Sequence, residues 1–225
     1  MFSRLFVITG CAYSDLDLPA KVFSALGVPC GHEEIFHTAA FERAGTLFWP
    51  PAAAGDASWF AAPVVRKLPV GSVVMHQVRD PLSTIHDLLV HGFFEHQTPS
   101  RHFAEDFLPE LLEGSEIERC MRLWLGWHRM IEALSGDPDL IYRRFRIEDF
   151  DEQCAVEQLA LIGLQRDAGR ARRALEELGE ARLRTQVALT WEELPDAALT
   201  AELKAVAERY GYRTTRRTRP GVLSI

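Results

Sequence analysis

The stretch Leu5-Phe6-Val7-Ile8-Thr9, Gly10-Cys11-Ala12-Tyr13-Ser14, Asp15-Leu16-Asp17-Leu18-Pro19-Ala20-Lys21-Val22-Phe23-Ser24-Ala25-Leu26-Gly27 carries two periods in succession. Residues 5–9 are apolar on both faces and β-prone, which suits a central strand of a parallel sheet. After the loop at 10–14, Leu16, Ala20, Val22, Phe23 and Leu26 recur at helical spacing until Gly27 stops them. Strand, loop and helix in this order are the opening half of a βαβ unit. Ser14-Asp15-Leu16-Asp17 reads as a capping box for the helix.

Working outward, Ser72–Val78 reads as a second strand and Leu82 to about Phe94 as the helix after it, with Pro81 in its first turn. Ile117, Met121, Trp124, Leu125, His128 and Ile131 share one face of a long helix over about 116–134. On that face Trp124 and Trp127 read as packing residues and His128 as a core histidine with its polar atoms satisfied. A third strand runs from Leu140 to Phe145, and from Glu157 onward the pattern is helical. Residues 37–62, rich in Ala, Pro, Gly and Trp, read as a long surface insertion of the kind that covers a site.

Strands alternating with helices imply an α/β fold: a parallel sheet flanked by helices, with a helical C-terminal third. We expect one domain over 1–212 and a basic, mobile tail over 213–225, where Arg213, Arg216, Arg217 and Arg219 could either clamp an anion or lie in solvent. Ligands of such sheets bind beyond the carboxyl ends of the strands, where segments 10–15, 31–34 and 77–80 converge.

With 225 residues, 47% apolar, the chain has enough apolar side chains for a core, and 10% aromatics exclude disorder throughout. Its 25 Lys and Arg against 32 Asp and Glu give a net charge of −7, so it lacks the positive surface that wraps nucleic acid or docks on anionic lipid. No stretch approaches the roughly 20 apolar residues that span a bilayer. Cys11, Cys30, Cys120 and Cys154 are scattered without CxxC spacing; pairing of Cys11 with Cys30 stays open, and a cytoplasmic protein with reduced thiols is the simpler reading. Neither a heptad nor an exposed apolar stripe announces an interface between copies, so the oligomeric state stays open.

Several segments together resemble the sulfotransferase family, particularly its short bacterial members. They are Gly10 to Leu16, Ala20 to Gly27, Gly31-His32-Glu33, Ser58-Trp59-Phe60-Ala61-Ala62-Pro63, Val74 to Leu82, Trp124 to His128, Tyr142 to Phe150, and Leu161 to Leu164. They fall in order through residues 5–165. The resemblance implies a P-loop-like sheet and transfer of a sulfuryl group from PAPS (3′-phosphoadenosine 5′-phosphosulfate) to a hydroxyl or amine of a small molecule, with no metal. It assigns Gly10 and Ser14 to the loop that cradles the phosphosulfate, Arg79 to the 3′-phosphate, Glu33 to the general base, and Ser58 and Trp59 to the acceptor.

The chain departs from the family pattern at four positions. In Gly-x-x-Arg-Ser-Gly-Thr, Tyr13 stands for the Arg, Asp15 for the Gly and Leu16 for the Thr, and Asp87, eight residues after Arg79, stands for a phosphate-binding Ser. A cation is lost and carboxylates gather where an anion should rest. A rival reading follows: the same scaffold without PAPS, binding a ligand or running other acid–base chemistry with Asp15, Glu33, Asp87, His32 and His86. In that reading Asp15 pairs with Arg79. Asp87 and His91, four apart on one helix, could also ligate a metal, although no H-E-x-x-H pattern accompanies them. A nucleoside-triphosphate enzyme is disfavoured, because G-x-x-x-x-G-K-[ST] is absent and Lys21 lies two turns into the helix.

Overall fold

A computed structural model describes residues 4–39, 49–178 and 189–214. Its strands are β1 (Phe6–Thr9), β2 (Cys30–His32), β3 (Gly55–Ala57), β4 (Ser72–Val78) and β5 (Leu140–Arg146). They form one sheet in the order β2-β3-β1-β4-β5, and every neighbouring pair is parallel. The helices are α1 (Asp17–Ala25), α2 (Pro81–Val90), α3 (Pro99–Phe107), α4 (Glu116–Glu132), α5 (Glu152–Leu161), α6 (Ala168–Glu177) and α7 (Ala197–Arg209). α1, α5 and α6 pack together on one side, and α2, α4 and α7 on the other.

Both faces of the sheet are therefore covered, which is why its central strands carry apolar residues without alternation. Phe6, Val7 and Ile8 of β1 and all seven residues of β4 are buried. Phe6 meets Phe23 of α1 at 5.5 Å between ring centres, and burying a ring of that size contributes about 1.5–3 kcal/mol. α4 starts in a capping box: Ser115 Oγ accepts from Glu118 N, and Glu118 Oε2 accepts from Ser115 N at 2.7 Å. α2 starts with Pro81 in its first turn and the Asp80 carboxylate on Ser83 N at 2.8 Å. It ends at Val90, earlier than its apolar pattern suggests, because Gly92 (φ 59°) turns the chain and folds Phe93 and Phe94 inward.

Three readings need correction. Much of 37–62 is not a surface insertion. Gly55–Ala57 is a strand between β1 and β2, and Trp59–Lys67 is a largely buried 3₁₀ segment; residues 40–48 lie outside the described residues. β2 and β3 have three residues each, too few to show a period. Nor does Ser14 cap α1. Its hydroxyl turns back to donate to Cys11 O, and the residue at the cap, Leu16, supplies no side-chain bond. His128 is buried in the core, yet only half satisfied. Its Nδ1 meets His76 Nε2 at 2.8 Å, while its Nε2 has no hydrogen-bond partner among the described residues.

All four cysteines are free thiols. Among the described residues no helix is long and apolar enough to cross a membrane. Of the basic tail only Arg213 and Thr214 are described; Arg216, Arg217 and Arg219 lie outside the described residues.

Candidate functional site

β1 is central, and the chain leaves it first toward β2 on one side and later toward β4 on the other. The crevice at such a reversal lies beyond the carboxyl ends of the strands. The loop after β1, Glu33 after β2, Trp59 after β3 and Arg79 after β4 all follow carboxyl ends. Gly10 lets the loop begin close against β4, since a Cβ there would lie 2.4 Å from Gln77 O. Gln77 also holds the loop from below, its side-chain amide donating to Ser14 O.

A cleft of about 420 Å³ opens there, lined by the loop Ala12–Asp17, by His32, Glu33 and Trp59, and by a rim from His91 to Ser100. Tyr13 stacks on His91 at 5.0 Å, with Phe93 edge-on to both Tyr13 and Trp59, so one wall is aromatic. Three carboxylates, Asp15, Asp17 and Glu33, also line the cleft, beside His32, His96, Thr98 and Ser100. Tyr13 (φ 61°), Asp15 (φ 58°) and Glu33 (φ 56°) are the non-glycine residues with left-handed backbone among the described residues. That conformation costs on the order of 1–3 kcal/mol at each position, and all three line this cleft.

Burial raises the Glu33 carboxyl above the ordinary range, with His32 opposing and Asp56 adding to the effect. Asp15 is raised for the same first reason, against the pull of Arg79 and with Asp17 and Asp87 reinforcing it. Both groups are thus poised to exchange a proton nearer neutrality than a solvated carboxylate.

Arg79 sits beneath the loop and is only 3% exposed. Its Nη1 donates to Tyr13 O at 2.6 Å and to Asp87 Oδ2 at 2.7 Å, and its Nε lies 3.5 Å from Asp15 Oδ2. His86 Nδ1 lies 3.4 Å from the other oxygen of Asp87. The residues assigned from sequence therefore divide. Ser14, Asp15, His32, Glu33 and Trp59 line the cleft, whereas Gly10, Arg79, Asp87 and His86 do not.

Ser58 does not line the cleft. It is fully buried, donates to Phe36 O at 2.7 Å and accepts from Phe60 N at 3.1 Å. No motif in the sequence singles out the rim residues Phe93, Thr98 and Ser100 one by one; the turn at Gly92 brings them over the loop. Among the described residues no three His, Cys, Asp or Glu side chains assemble as metal ligands, and the His91 ring stacks on Tyr13. No family model matches the chain, and a search of curated proteins finds no match.

Proposed function

We propose that the chain is a sulfotransferase-like protein whose cleft takes a small molecule bearing an amine or hydroxyl, with Glu33 as its proton acceptor and without PAPS as donor. The observation that carries this reading is the bonding of Arg79. The cation that would meet the 3′-phosphate is held at 2.7 Å by Asp87 and approached by Asp15, in a site sheltered from water. An incoming phosphate would have to displace one carboxylate and lie beside others, and like charges at about 4 Å repel by roughly 1 kcal/mol in water and several-fold more when sheltered. The same carboxylates suit an amine, whose positive charge would favour the ionised forms that burial disfavours in Glu33 and Asp15.

A second reading, sulfuryl transfer from PAPS, is favoured by the shape of the loop. Asp15 adopts the left-handed conformation expected of the glycine in the family pattern, and a short polar side chain tolerates that region better than most. Arg79 still reaches the loop, and Glu33 still lines the cleft beside it. In that reaction the acceptor oxygen or nitrogen bonds to sulfur as the bond from sulfur to the 5′-phosphate oxygen breaks, and the acceptor's proton passes to Glu33.

Calorimetric titration with adenosine 3′,5′-bisphosphate separates the two. The expected result is no binding to the natural chain and measurable binding to the triple variant Tyr13→Arg, Asp15→Gly, Asp87→Ser. Micromolar binding to the natural chain would instead establish a working donor site. A triple variant that stays silent would mean that residues 10–16 do not correspond to the family's phosphosulfate loop. For the acceptor, thermal shift against small amines and polyols should identify ligands whose effect is lost in Glu33→Gln.

A further inference from the structure

We propose that Asp56 is a positioning residue for Glu33, gripping the turn that presents it to the cleft and setting the charge beside it. The proposal rests on the reading of Glu33 as the proton-exchanging group. Asp56 is a carboxylate with no exposed surface in the middle of β3. Left unanswered, such a group would cost several kcal/mol. Its oxygens are answered by three successive backbone N–H groups: Glu34 N donates to Oδ1 at 3.3 Å, and Ile35 N and Phe36 N donate to Oδ2 at 3.1 and 3.0 Å.

These are the residues immediately after Glu33, whose own N donates to Ala57 O at 3.1 Å. Ser58 adds its bond to Phe36 O. Residues 56–58 therefore hold 33–36 at several points, and Glu33 stands at the left-handed corner between them. Gly31 completes the fit: a Cβ there would lie 2.7 Å from Asp56 Oδ1, so a side chain would push the carboxylate off the turn.

A tie that only braced the loop would not need a charge. Together with burial, the Asp56 carboxylate raises the proton affinity of Glu33, against His32 and His37 on the Glu33 side of the turn. Asp56→Asn keeps the size of the side chain but removes the charge, and Ser58→Ala removes a tie to the same turn without altering any charge. The test is a carbon-13 NMR titration of the Glu33 side-chain carboxyl in the natural chain and both variants.

We expect the Glu33 midpoint to fall toward the ordinary carboxylate range in Asp56→Asn and to stay in place in Ser58→Ala. An unmoved midpoint in folded Asp56→Asn, or an equal movement in Ser58→Ala, would overturn the proposal. If Asp56→Asn does not fold, hydrogen exchange on the natural chain decides. The Glu34, Ile35 and Phe36 amides should exchange at least about tenfold more slowly than unstructured amides, and free exchange there would overturn the proposal. The titration needs no ligand. Ligand binding that survives Glu33→Gln would remove the functional reading and leave the Asp56 result standing.

Discussion

Glu33 carries an energetic cost that its side-chain chemistry explains. Its carboxyl is raised chiefly by burial, so in the folded protein it gives up its proton at higher pH than in the unfolded chain. A group shifted this way contributes stability that is complete below its unfolded value and lost as pH rises through the folded one. Gln cannot ionise and escapes that loss. Glu33→Gln should therefore melt higher than the natural chain at about pH 7, with the difference closing by about pH 4 in paired thermal scans. A lower melting temperature at neutral pH would mean that the Glu33 carboxylate stabilises the fold. Arg79 poses the opposite case. Truncating Asp87 to Ala removes the shortest ion pair of a buried guanidinium and should cost about 2–3 kcal/mol in urea unfolding, toward the low end for buried pairs because Asp87 is partly exposed. An unchanged midpoint would mean that Arg79 is held as well without Asp87.

The elements on the α4 side of the sheet enclose a second polar group. His76 of β4 contacts Tyr142 OH through Nδ1 at 2.6 Å and His128 of α4 through Nε2. Just past α7, the Tyr210 ring packs on both imidazoles, and its hydroxyl donates to Glu132. Arg144 lies over that ring and pairs with Glu132, which also takes Arg209. Burial, with Arg144 nearby, holds His128 down to about 3, and burial with His128 and Arg144 holds His76 well below its usual value. Both are neutral in the fold, while the unfolded chain protonates them below about pH 6.5. Stability is thus complete above that value and lost as pH falls through it, each histidine adding a slope approaching about 1.4 kcal/mol per pH unit. Urea unfolding between pH 7 and pH 5 should show this loss, and His128→Gln should shrink it by about half. An unaltered slope in that variant would place the titration elsewhere.

For the whole molecule, legibility followed length and period. β1, α1, β4 and α4 were readable because each is long enough, or apolar enough on the required face, to show its pattern in the chain. β2 and β3 were not: Cys30-Gly31-His32 and Gly55-Asp56-Ala57 are three-residue strands whose place comes from pairing with distant neighbours. The parallel sheet puts the ends of β1, β2, β3 and β4 along one edge; Ser14 and Asp15 could be nominated from their position after β1, whereas Glu33 was named by the family resemblance. Ser58 could not be read correctly, because a serine at a strand end looks the same whether it meets a ligand or, as here, a backbone carbonyl 22 residues away. The sequence by itself determined the α/β class, the central strand and the loop that bears the acids, since these depend on apolar periodicity and local backbone chemistry. Only the tertiary structure decided that Asp87 and Asp15 hold Arg79 and that Asp56 holds the Glu33 turn, because both depend on which groups distant in the chain meet around a buried charged side chain.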